Sequence, residues 1–180
     1  MAENPSLAAP NFDLIRDESG TFTADALKTL WYALNDERSL RYRYDQASWV
    51  IPAFVAGDFV GDANGNWTVD SGDVNGIAYI RRGRQMTVTF SINTSSLSSG
   101  TITDLYIKNG QWGGYTSSSS GATARSVCVI KDNAAALTTG AVFVLANATQ
   151  IGIERSDGAS WQSSTNQTSV HGQITFEVQV

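Results

Sequence analysis

One cysteine (Cys128) and one histidine (His171) are all that the 180-residue chain offers to thiol or imidazole chemistry. A lone cysteine excludes an intrachain disulfide framework and a cysteine-built zinc site. A lone histidine excludes His–Cys metal clusters and sites that need two imidazoles. Positive charge is scarce: 12 Lys and Arg against 17 Asp and Glu leave a net charge of −5. That balance argues against a nucleic-acid binder held by phosphate contacts and against a polybasic membrane anchor. The longest uncharged stretch, residues 133–153, is broken throughout by Asn, Thr and Gln. Two short strands and a turn explain it better than a membrane span. The opening MAENPSLAAP has neither the basic start nor the apolar run of a signal peptide.

Small polar residues are abundant instead. Serine and threonine number 37 beside 16 glycines, while proline occurs only 3 times. With 42% hydrophobic residues to build a core, this composition reads as a mainly β protein with many polar turns. The first fifty residues carry 13 charged side chains and the other 130 carry 16. That shift divides the chain into an N-terminal segment, residues 1–50, and a β domain, residues 51–180.

Within the first segment, Pro5 and Pro10 oppose helix, so residues 1–22 read as an extended arm. Phe12, Leu14 and Ile15 form an apolar cluster on it. A short α-helix follows. Thr23 is its N-cap and Asp25 lies in the first turn, where negative charge is favourable. Leu27, Leu30, Trp31 and Leu34 repeat at i, i+3, i+4, i+7 and make one apolar face. One such helix does not fold alone, so this stripe docks on its own chain, on its own copies or on another protein.

The remainder alternates with period two. Met86, Val88, Phe90 and Ile92 share one face of a strand, and Ile174, Phe176 and Val178 share another. Apolar runs at 77–80, 102–107, 127–130, 141–146 and 150–154 are separated by Gly- or Ser-rich segments at 95–100, 113–121 and 156–168. Eight or so short strands of this kind predict a single β-sandwich of jelly-roll type.

Motifs for chemistry are thin. No GxSxG surrounds a serine, and P-loop, GxGxxG and HExxH patterns are missing. The expectation is a protein that is not an enzyme and uses no cofactor. Asp62, Asn64, Asn66, Asp70 and Asp73 have the spacing of a calcium loop and resemble that of dockerin modules. Trp67 stands where such a loop needs glycine, and a polar turn is the competing reading. Trp112 and Tyr115 lie in NGQWGGYTSSSSG, and Trp161 in SDGASWQSSTNQ. Aromatics in such loops pack inward or into a subunit interface, or else offer a flat face to a sugar ring or a partner. Cys128, inside an apolar run, reads as a small buried residue.

Three segments together resemble bacteriophage tail-fibre proteins. Residues 76–93, GIAYIRRGRQMTVTFSIN, are similar to a fibre-knob pattern in which an aromatic and an Arg-Gly turn lead into an alternating strand. Residues 172–178, GQITFEV, resemble the last strand of such knobs. Residues 12–36, FDLIRDESGTFTADALKTLWYALND, resemble fibre attachment segments. The resemblance implies a homotrimeric virion protein at the particle surface, made in the host cytoplasm and inserted in no membrane. The helix stripe and Phe12, Leu14 and Ile15 would serve particle docking or trimer contact. The β domain would bind the host surface, with glycan as a candidate receptor. Alternatives are a capsid decoration protein and a free carbohydrate-binding module.

Overall fold

The computed structural model describes residues 48–62, 65–98, 102–119 and 123–179. The expected arm and helix, with Phe12, Leu14, Ile15, Leu27, Leu30, Trp31 and Leu34, lie outside the described residues.

The β domain is mainly strand, as its composition predicts. Its strands are β1 (Phe59–Gly61), β2 (Trp67–Thr68), β3 (Val74–Arg82), β4 (Gln85–Leu97) and β5 (Asp104–Lys108). They continue with β6 (Ala124–Lys131), β7 (Thr138–Val144), β8 (Gln150–Arg155) and β9 (Ser164–Glu177). All pair antiparallel in one sheet of order β1-β5-β8-β7-β6-β9-β4-β2, with β3 also on β4. The sandwich expectation is realised as one curled sheet whose ends, β1 and β2, nearly meet. Close approach there requires glycine: a Cβ on Gly61 would lie 2.7 Å from the carbonyl oxygen of Gly65.

Alternation builds the core. Met86, Val88, Phe90 and Ile92 of β4 point inward, and Ile174 and Phe176 of β9 pair beside them. Cys128 and Ile130 of β6 are interior, while Val127 and Val129 are not. The uncharged stretch 133–153 holds β7, a turn and the start of β8.

Both β4 and β9 extend into segments that read as separators in the sequence. Ser95 pairs with Thr168 and Leu97 with Ser164, across register shifts that follow Ile92 and Ser95. Thr94 (φ 54°) and Asn166 (φ 54°) take left-handed backbone in this region. Polar side chains hold the irregular stretch together. The buried Trp67 Nε1–H donates to Ser95 Oγ at 2.8 Å, and Ser95 Oγ–H donates to the Thr168 carbonyl at 2.9 Å. Ser95→Ala leaves the indole N–H without its acceptor in the interior. The expected loss is about 1–3 kcal/mol of unfolding free energy. Urea denaturation checks it, and a loss below the noise would show that the relay contributes nothing.

Candidate surface site

Two aromatics expected at a binding surface are interior. Trp112 and Trp161 are both 0% exposed. Trp112 ends a 3-10 turn, Asn109–Trp112, which closes on Gly113 in left-handed backbone (φ 82°). Its ring meets Phe176 edge-on, with centroids 5.3 Å apart. Trp161 is drawn in by its backbone N–H, which donates to the Ile102 carbonyl at 2.7 Å. Its loop is fastened by buried Asp132, whose carboxylate accepts the Gln162 N–H at 3.0 and 3.1 Å and pairs with Arg155. The flat-face reading of Trp112 and Trp161 is therefore overturned: neither ring can reach a sugar while the core is intact. Of the three aromatics, Tyr115 alone reaches the surface, half-buried, with the Arg81 guanidinium 4.8 Å above its ring.

The calcium-loop reading also fails on geometry. β2 runs through the middle of the proposed loop, because Trp67 pairs with Leu97 and is buried. The carboxylates at its ends turn to different partners. Asp62 Oδ2 accepts the Thr103 N–H at 2.7 Å and the Thr103 hydroxyl at 2.8 Å. Asp73 accepts the Asp70 N–H at 2.9 Å and the Thr94 hydroxyl at 3.0 Å. Asn66 uses its backbone toward Ser98. Asn64 lies outside the described residues. Among the described residues, no group of three His, Cys, Asp or Glu side chains is placed to hold a metal ion.

His171 sits on β9 with Nδ1 3.0 Å from Ser91 Oγ, and partial burial lowers its pKa below the ordinary 6.5. A base whose folded pKa is depressed lends stability that is present above its unfolded pKa and lost as pH falls through the folded one. The melting temperature should therefore drop as pH falls below about 6.5, and His171→Gln should flatten part of that drop. An unchanged pH profile in the variant would contradict the assignment. Asp104 is held above the usual carboxylate range, first by burial and then by the neighbouring charges of Glu154 and Asp62. Burial also pushes the Tyr106 phenol up to about 12 and the Cys128 thiol up to about 11. A thiol so protonated is not a nucleophile at neutral pH.

What the sequence reading did not single out is exposed apolar surface. Ile51 (80%), Val127 (71%) and Leu137 (65%) are the most exposed, followed by Leu145, Val55, Trp49, Val50 and Val129. Val50 bridges to Tyr79 of β3 through two backbone hydrogen bonds, at 2.8 and 2.9 Å. Pro52 has no N–H to continue this pairing. The chain thus leaves the sheet there and opens a cleft of about 480 Å³ lined by Ile51, Phe54, Val74, Ile77, Thr89 and Ser91. Phe54 stacks on Phe59, 5.7 Å between centroids, and so fixes the outer wall. The usable signal was the apolar run WVIPAFV at 49–55, next to the composition boundary.

No protein-family model, curated protein or solved structure matches this chain.

Proposed function

We propose that the chain is a non-enzymatic structural protein of a phage particle, a short tail fibre or spike that assembles as a homotrimer. Residues 1–50 would dock it on the particle and the β domain would meet the host surface. The observation that carries the reading is the set of apolar side chains left exposed on an otherwise well-packed β domain, among them Trp49, Ile51, Val55, Val127, Leu137 and Leu145. Side chains of this kind, when clustered, are kept for a partner. The sequence resemblance supplies the class of assembly. Its two β segments, 76–93 and 172–178, fall on β3, β4 and β9, which pair side by side. The interior placement of Trp112 and Trp161 weighs against a free carbohydrate-binding module.

The test is the protein content of purified particles from the source culture. The chain should be present in fixed ratio to the coat protein, and a form lacking residues 1–45 should be lost from the particles. A chain found only in the soluble lysate contradicts the proposal.

A further inference from the structure

The central outward positions of the sheet around β4 carry no charge, whereas Arg82, Lys131 and Glu177 stand at the ends of β3, β6 and β9. On β4 the uncharged positions are Thr87, Thr89 and Ser91, and on β9 His171, Gln173 and Thr175. These are direct cross-strand neighbours: Thr87 faces Thr175, Thr89 faces Gln173, and Ser91 faces His171. Gly76 and Ala78 extend the rows onto β3, opposite Ser91 and Thr89. On the other side, Val129 pairs with His171, and Val127 is the next outward position of β6. Four adjacent strands thus present a surface of hydroxyl, amide and small apolar groups in a chain whose net charge is −5.

Charge returns at the border. Arg84 approaches Glu177 at 3.9 Å beyond one end of β4, and Arg125 pairs with Glu154 beside Val127. An uncharged centre inside a charged rim is the anatomy of a protein interface. Exposed apolar side chains stand at its two flanks. Val127 and Val129 lie on the β6 side. Ile51 and Trp49 lie on the β3 side, where Ile51 adjoins Thr89 and Ser91 and Trp49 adjoins Thr87 and Gln173.

The chemistry of this face selects its occupant. A partner recognised by opposite charge finds only the border to hold, where Arg82, Lys131 and Glu177 stand. Hydroxyls and amides both donate and accept, so they can pair with the uncharged groups of a copy in any rotational arrangement, one about a threefold axis included, whereas lysines or carboxylates repel their own copies. Two acidic chains also repel least where neither carries charge. We infer that the outer face of β3, β4, β9 and β6 is the surface through which this chain packs against copies of itself. The inference rests on the self-association proposed above and specifies where it occurs.

The experiment compares solution masses of full-length chains by analytical ultracentrifugation. Val127→Lys and Gln173→Lys each place a charge in the face at an exposed position. Leu145→Lys places one at an exposed apolar residue that belongs to none of these four strands. Thermal melts confirm that each variant is folded, and either face variant suffices if the other does not fold. The expected result is an oligomeric wild type, an oligomeric Leu145→Lys chain, and face variants whose dissociation constant rises at least tenfold. If wild type and face variants are equally oligomeric, the face is the wrong one and the proposed function stands. If the wild type is monomeric at all concentrations, the self-association reading falls and the inference with it.

Discussion

Trp112→Ala should remove about 3–5 kcal/mol of stability, and Trp161→Ala about as much. Both indoles are fully enclosed, so truncation deletes a large apolar volume and leaves a cavity that the sheet fills only in part. For Trp112 the loss includes the edge-on contact with Phe176. Trp112→Phe keeps a ring in place and should cost distinctly less. The comparison separates two roles for these loops. A tryptophan kept for ligand contact would be nearly neutral to folding when truncated, since exposed positions rarely move stability by more than about 0.5 kcal/mol. Urea denaturation of the two alanine variants decides between them. Midpoints unchanged from wild type would return both residues to the surface.

The second large effect is expected at Asp132. Its carboxylate is 3% exposed and holds two things at once: the Gln162 N–H, and the guanidinium of Arg155. Arg155 also grips Asp157 through Nε at 3.0 Å and a terminal nitrogen at 2.6 Å. Those bonds, to Asp157 first and Asp132 after it, raise the guanidinium pKa further, and they hold the Asp157 carboxyl far below the usual range. Asp132→Ala removes the inner partner, leaves Arg155 only its more exposed pairing with Asp157 and leaves the Gln162 N–H without its acceptor, a change expected to cost about 1–3 kcal/mol. Asp132→Asn retains a hydrogen-bond acceptor for Gln162 and should lose less. Because the clamp seats Trp161, its loss should also shift tryptophan fluorescence to the red in the folded alanine variant. An unshifted spectrum with wild-type stability would show that Trp161 is held by packing alone.

Much of the fold was legible because burial in a curled sheet imposes period two. β3, the first half of β4 and the second half of β9 follow directly from residues 77–80, 86–92 and 174–178. The extensions of β4 and β9 were not legible, since their serines and threonines satisfy one another. Ser95 pairs with Thr168, and Ser96 Oγ–H donates to Asn166 Oδ1 at 2.9 Å. In isolation each stretch has the composition of a turn. The surface was harder still. In the run Val-Cys-Val-Ile of β6, Cys128 reads as buried and is, but four apolar residues in a row hide that Ile130 is buried with it while Val127 and Val129 are exposed. The fate of Trp161 depended on Asp132, thirty residues upstream of Gln162, and on no local pattern. Tyr115 lies in a loop, half-buried, and its partner Arg81 comes from β3, distant in sequence.

The most direct test of the central claim is the solution mass of the purified full-length chain by light scattering. The expected result is a stable trimer of about 58 kDa, three times the 19.3 kDa of the single chain. A particle of 19.3 kDa that persists as the concentration rises would contradict it.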